Sequence, residues 1–280
     1  MSAAPSVVGV LGGGRMGAGI AHAFLLAGSR VHVVERDVAT ADAAAARVRA
    51  DLDRSAARGR RVPDADALTV GVDPAAFADA ALVVEAVPED RALKGEALTR
   101  IEAVLADEAV VASNTSSISI DALAAGLRSP ERFLGLHFFN PVPASALVEI
   151  VRGTRTAEAI VARATRWVEA IGKTAVVVRD APGFASSRLG VALGLEAIRM
   201  LEEGVASAED IDRAVELGYR HPVGPLRTTD LVGLDVRLGI AEELERSLGP
   251  RFAPPALLRR LVDEGRLGRK TGRGFYEWSE

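Results

Sequence analysis

Short apolar runs alternate with longer amphipathic stretches over the first two-thirds of the chain. Val7–Leu11, Arg30–Glu35, Ala81–Val87, Ala109–Ser113 and Phe133–Phe139 are apolar along most of their length, which predicts strands covered on both faces. Helix-length stretches lie between them at Gly17–Ala27, Ala39–Arg58 and Ala92–Leu105. This alternation predicts an α/β fold with a doubly wound parallel sheet. Two further strands are expected at Leu147–Val151 and Thr174–Val178, flanking a helix near Ala157–Ile171 that ends at Gly172.

The pattern changes after Asp180-Ala-Pro-Gly183, a turn or linker. Beyond it only helical periodicity is found. Leu189–Glu203 is amphipathic and stops at Gly204, Ser207 with Asp210 opens a helix that Gly218 ends, and Leu226–Leu248 and Pro255–Glu264 follow. The expected division is therefore an α/β domain over residues 1–181 and an all-helical domain over 182–280.

Composition narrows the function classes. Hydrophobic residues make up 49% and charged residues 26% of 280 positions, close to ordinary globular usage. The net charge of −4, with both signs interspersed, argues against nucleic acid as a partner. There is no cysteine, which excludes disulfides, thiolate metal sites and cysteine nucleophiles. No metal site is expected. The uncharged lead-in from Met1 to Ser6 lacks the features of a signal peptide, and no apolar run is long enough for a membrane span. A cytoplasmic protein is expected.

Gly12-Gly13-Gly14-Arg15-Met16-Gly17 follows the first strand and opens a helix. Gly12 permits the tight turn, Gly14 lets backbone approach a pyrophosphate, and Gly17 allows close helix–strand packing. The helix N-terminus then presents N–H groups to the anion. An acid about 20 residues on should bind an adenosine ribose and repel a 2′-phosphate, favouring NAD. Glu35 and Asp37 both qualify, and periodicity does not separate them.

Of the four histidines, His22 and His32 lie inside a helix and a strand, and His221 precedes a proline. His137 ends an apolar strand, where open parallel sheets bind ligands and where a group titrating near neutral pH can exchange a proton. Glu149 interrupts another apolar strand, so it needs a buried partner or an exposed strand end. Pairing with His137 would make a base with an orienting carboxylate. Ser113-Asn114-Thr115-Ser116-Ser117 follows a third apolar strand at the same sheet edge, able to hold a substrate oxygen or to cap a helix.

Together these segments resemble the 3-hydroxyacyl-CoA dehydrogenase family over nearly the whole chain. Ser113–Ser117 followed by His137-Phe-Phe-Asn-Pro141 carries the resemblance, as does the final Lys270-Thr-Gly-Arg-Gly-Phe-Tyr276. The resemblance implies a Rossmann-type NAD domain joined to a helical domain that binds substrate and forms a homodimer. It implies His137 as general base, Glu149 as its acidic partner and Ser116 on the substrate's reacting oxygen. It places the ribose acid on Asp37 and further cofactor contacts on Ala86, Glu89, Lys94, Asn140 and Lys270. The implied activity is NAD-dependent oxidation of a short 3-hydroxyacyl-CoA thioester. One position departs: Ser187 stands where the family has asparagine in the active-site cleft, with one hydroxyl in place of an amide. That keeps open a carrier-protein-bound acyl substrate. A dinucleotide-binding protein without catalysis is disfavoured, because Ser116, His137 and Glu149 are all present.

Overall fold

The computed structural model describes residues 3–279; Met1 and Ser2, which begin the uncharged lead-in, and Glu280 lie outside the described residues. The chain divides into two compact units, 1–181 and 182–280.

The first unit is built on one eight-stranded sheet. Its strands are β1 (Val7–Leu11), β2 (Arg30–Val34), β3 (Leu68–Gly71), β4 (Leu82–Glu85), β5 (Val110–Ser113), β6 (Phe133–Phe138), β7 (Leu147–Arg152) and β8 (Thr174–Arg179), in the spatial order β3-β2-β1-β4-β5-β6-β7-β8. The helices are α1 (Arg15–Leu26), α2 (Val38–Ala57), α3 (Arg91–Glu102), the short α4 (Ile120–Ala124) and α5 (Glu158–Ala170). Val8, Val10, Leu82, Val84, Val110, Ala112 and Leu134 pack with Ile20, Phe24 and Trp167 in one core. Each large apolar side chain buried there contributes about 1.5–3 kcal/mol.

Three features differ from the sequence expectation. β3 and α4 are additional. β3 is a four-residue strand at the sheet edge with no buried residue, so it leaves little apolar pattern. The sheet is also not wholly parallel, because β7 runs antiparallel to β6. The connection 139–146 is too short for a parallel crossover, which needs a dozen residues or more. That reversal sets the cross-strand register His137↔Glu149. Leu134, Leu136 and Phe138 share one face of the sheet with Val148 and Ile150 in the core, so His137 and Glu149 share the opposite face.

The second unit holds α6 (Ser186–Glu202), α7 (Ala208–Tyr219), α8 (Pro225–Val232), α9 (Leu234–Leu248) and α10 (Ala256–Asp263). The single helix expected over Leu226–Leu248 is two, broken at Gly233, whose φ of 107° no helical residue adopts. α7 runs past Gly218 and closes on Arg220 in the left-handed region. Val191, Leu195, Ile198, Leu226, Leu234, Leu244, Leu258 and Leu261 form the core. Asp230, fully buried, accepts from the backbone N–H of Phe275 and Tyr276 and from Trp278 Nε1, which fastens the C-terminal segment to α8. Among the described residues no helix is long and apolar enough to cross a membrane.

Candidate active site

The carboxyl ends of β1, β4, β5 and β6 place four short segments along one edge of the sheet. The glycine turn comes first. Gly12 has φ 94°, and a Cβ there would lie 2.9 Å from the carbonyl oxygen of Ala86. A Cβ on Gly17 would lie 1.8 Å from the Gly12 carbonyl oxygen, so β1 and α1 meet only because both are glycine. Gly14 faces the other way: nothing lies within 4 Å of a Cβ built on it. α1 has no side-chain cap and no acid in its first turn, so the N–H groups of Arg15, Met16 and Gly17 are not neutralised locally. An open glycine face above an uncapped helix N-terminus fits a dinucleotide pyrophosphate.

The two acids after β2 separate by geometry. Glu35 Oε1 accepts the Gly13 N–H at 2.6 Å, which holds this carboxylate against the glycine turn. Asp37 caps α2 through Thr40 N and pairs with Arg36 Nε at 3.0 Å. The Thr40 bonds come first in holding the Asp37 carboxyl below the usual carboxylate range. Asp37, on which the resemblance placed the ribose, is thus occupied with helix and arginine, while Glu35 lies beside the turn.

A buried polar network ties β4 to the serine segment. Glu85 in β4 accepts from Lys94 Nζ at 2.8 Å, from Val87 N at 2.7 Å and from Ser113 Oγ at 2.5 Å. Lys94 also donates to the Val87 carbonyl and lies 3.4 Å from Glu89 Oε2. Burial pushes the Glu85 carboxyl up, with Lys94 acting against it. Burial also acts on Glu89, but Lys94 and the hydrogen bonds outweigh it and the net direction is down. Glu89 Oε1 accepts from Thr115 Oγ1 at 2.6 Å, Ser116 N at 2.9 Å and Ser117 N at 3.0 Å. One carboxylate therefore shapes the segment that carries Ser116. Lys94 is fully buried in this network and Glu89 is partly exposed. Sequence reasoning missed Glu85, although a carboxylate in an apolar strand is the same signal that picked out Glu149.

Asn114 closes the gap to the next strand. Its N–H donates to the Glu85 carbonyl, and its Oδ1 accepts from Phe138 N at 2.9 Å. His137, next to Phe138, has Nδ1 2.8 Å from Glu149 Oε2, and both residues are buried. With Glu149 ionised, its carboxylate only accepts, which would assign the shared proton to Nδ1. The Phe139 ring lies against the imidazole at 4.4 Å between centroids. Asn140 follows, exposed, and Lys173 pins this connection by donating to the Val142 carbonyl at 2.7 Å.

In the helical unit, Ser187 is half-buried in the first turn of α6. Lys270 is held by both oxygens of Asp235 at 2.6 Å. After burial, which opposes it, this lysine is the main cause of the lowered Asp235 carboxyl.

Comparison with known proteins agrees along the whole length. The family model for the 3-hydroxyacyl-CoA dehydrogenase NAD-binding domain matches residues 7–181, and that for the C-terminal domain of the same family matches residues 183–278. The chain belongs to the 3-hydroxyacyl-CoA dehydrogenase family. It is 45% identical to a 3-hydroxybutyryl-CoA dehydrogenase of Mycobacterium tuberculosis, over 99% of this chain and 100% of that one. A probable 3-hydroxybutyryl-CoA dehydrogenase of Bacillus subtilis is 39% identical over 97% and 96% of the two chains. The crystal structure of (S)-3-hydroxybutyryl-CoA dehydrogenase from Ralstonia eutropha superposes with a TM-score of 0.92 at 38% identity, covering 99% of this chain and 100% of that one.

Proposed function

We propose that the chain catalyses the reversible NAD-dependent oxidation of the 3-hydroxyl of a short-chain 3-hydroxyacyl-CoA. The observation that carries this reading is the buried His137–Glu149 pair at 2.8 Å on the ligand-binding edge of a dinucleotide-type sheet. Family membership supports the same cofactor and reaction class.

His137 Nε2 takes the proton of the substrate hydroxyl. Glu149 receives the Nδ1–H throughout and stabilises the imidazolium that results. Ser116, whose backbone N–H donates to Glu89, holds the reacting oxygen through its hydroxyl. Bound NAD would supply the hydride acceptor for the carbinol carbon. Gly12, Gly14, Met16 and Gly17 would hold its pyrophosphate, and Glu35 rather than Asp37 would take the adenosine ribose. Asp37 keeps Arg36 engaged, which denies a 2′-phosphate its counter-charge and favours NAD over NADP. Ala86 and Asn140 border the nucleotide. Lys94 and Glu89 act on it through the serine segment, and Lys270 braces α9 through Asp235. Residues 1–181 carry this chemistry. The helical domain, 182–280, takes the acyl thioester beside Ser187 and forms a homodimer through apolar residues such as Leu189, Leu217 and Tyr219, each at least 70% exposed. The proposed location is the cytoplasm.

The test is to follow NADH absorbance with acetoacetyl-CoA as acceptor, then with NADPH in its place. Rapid NADH oxidation and slow NADPH oxidation are expected. Tight NADH binding without turnover of acetoacetyl-CoA or of its six-carbon homologue would contradict the substrate class.

A further inference from the structure

The connection 139–146 joins the strand of His137 to the strand of Glu149 and carries Phe139 and Asn140. Its middle lies outside the sheet and is held by other means. Val142 is buried against α1, so closely that a Cβ on Gly19 would lie 2.7 Å from Val142 Cβ. The N–H groups of Ala144 and Ser145 turn back on the Pro141 carbonyl. Two carbonyls of the connection meet a single side chain. Lys173 Nζ donates to Val142 O at 2.7 Å and to Ser145 O at 2.5 Å.

The chain fixes Lys173 on both sides. Gly172, with φ 74°, donates to the Glu169 carbonyl, and Lys173 N–H donates to the Val168 carbonyl, which closes the end of α5. Thr174 N then donates to the Ala146 carbonyl at 2.6 Å and begins β8. The ammonium is half-buried. Burial, and after it the charge of Arg60, push the Lys173 pKa down, and among the described residues no acid offsets them. A buried cation answered only by carbonyls is a poor choice for stability alone. Residues that break a local rule in this way concentrate at functional sites.

The connection reaches the reaction centre through Phe139, three positions before Val142. The Phe139 ring lies 4.4 Å from the imidazole of His137 between centroids, and Glu149 Oε2 lies 2.8 Å from Nδ1. The imidazole is thus set by a carboxylate in the next strand and by a ring on the connection. We propose that Lys173 is a positioning residue for the reaction: through the Val142 and Ser145 carbonyls it holds the connection, and so keeps Phe139 against the His137 imidazole. This rests on the reading of His137 as the base. With the ammonium removed, both carbonyls lose their donor and the imidazole loses one of its two supports.

The test compares Lys173→Met, which has similar length and no donor, with Lys173→Arg, which keeps a cation with donors. Rates are measured well below the melting temperature of each variant. Lys173→Met should lower kcat about 10–100-fold, the cost of a small misplacement of a reacting group. The KM for acetoacetyl-CoA and the affinity for NADH should stay nearly unchanged, and Lys173→Arg should recover much of kcat. The second readout is the proton NMR signal of His137 Nδ1–H in the protein without substrate. It should be sharp in the wild type and in Lys173→Arg, and shifted or broadened by exchange in Lys173→Met. Normal kcat in Lys173→Met, or a His137 signal that this variant leaves unchanged, overturns the proposal. So does a loss that Lys173→Arg shares in full. Should Lys173→Met fail to fold, Lys173→Gln, neutral but still a donor, takes its place with the same expectations at smaller size. If the wild type does not turn over acetoacetyl-CoA, the activity reading fails while the NMR signal still decides this one.

Discussion

Glu85 and Glu149 enter the same sheet in similar ways and meet different partners. Each is a carboxylate in an otherwise apolar strand, and each is essentially inaccessible to solvent, at 0% and 1% exposed. Glu85 meets Lys94, whose ammonium is also shared with the Val87 carbonyl and approached by Glu89. Glu149 meets His137. Lys94 donates to Glu85 and to the Val87 carbonyl and lies beside Glu89, so the first pair is a brace. An imidazole oriented by a carboxylate is the arrangement of a general base, so the second pair can do acid–base work. The same feature on two strands, a buried glutamate, yields a brace or a reaction centre according to the cation across from it.

The largest expected effect comes from breaking the second pair. His137→Gln should lower turnover about 10²–10⁴-fold, the usual worth of a positioned base, while leaving NADH affinity almost intact. Steady-state rates with nucleotide titration check this, and near-normal turnover would remove His137 from the mechanism. The first pair should fail through stability instead. Lys94→Met leaves Glu85 buried and uncompensated, at a cost of about 3–5 kcal/mol by denaturant unfolding. Adding Glu85→Gln to Lys94→Met should recover much of that loss. A double variant no more stable than the single one would show that Lys94 is not the brace described.

Much of this contrast was legible in the sequence, and the rest was not for identifiable reasons. The glycine turn could be read because tight turn, anion approach and helix packing each demand glycine at its own spacing. His137 and Glu149 stood out as polar residues in apolar strands, and either could be named alone. Their meeting depends on β7 running antiparallel to β6, which follows from a short connection and not from hydrophobic pattern. Glu35 and Asp37 could not be separated, because the choice turns on which carboxylate reaches back to Gly13 and which caps α2. The break at Gly233 was missed because helical periodicity continues on both sides of it.

The smallest effects concern those two acids. Glu35→Ala should raise the KM for NADH about tenfold, equivalent to losing roughly 1.4 kcal/mol, and narrow the preference over NADPH. Asp37→Ala should leave NADH binding nearly unchanged but lower the melting temperature slightly through the lost helix cap. The reverse pattern, with cofactor affinity following Asp37, would return the ribose to the acid that the family resemblance first indicated.

The most direct test of the central claim is a double-mutant cycle on turnover with His137→Gln, Glu149→Gln and both together. If Glu149 acts through the imidazole, the double variant should be no slower than His137→Gln alone. Rate losses that multiply across the two positions would mean that Glu149 acts independently, and the base–orienter pair at the end of β6 would have to be abandoned.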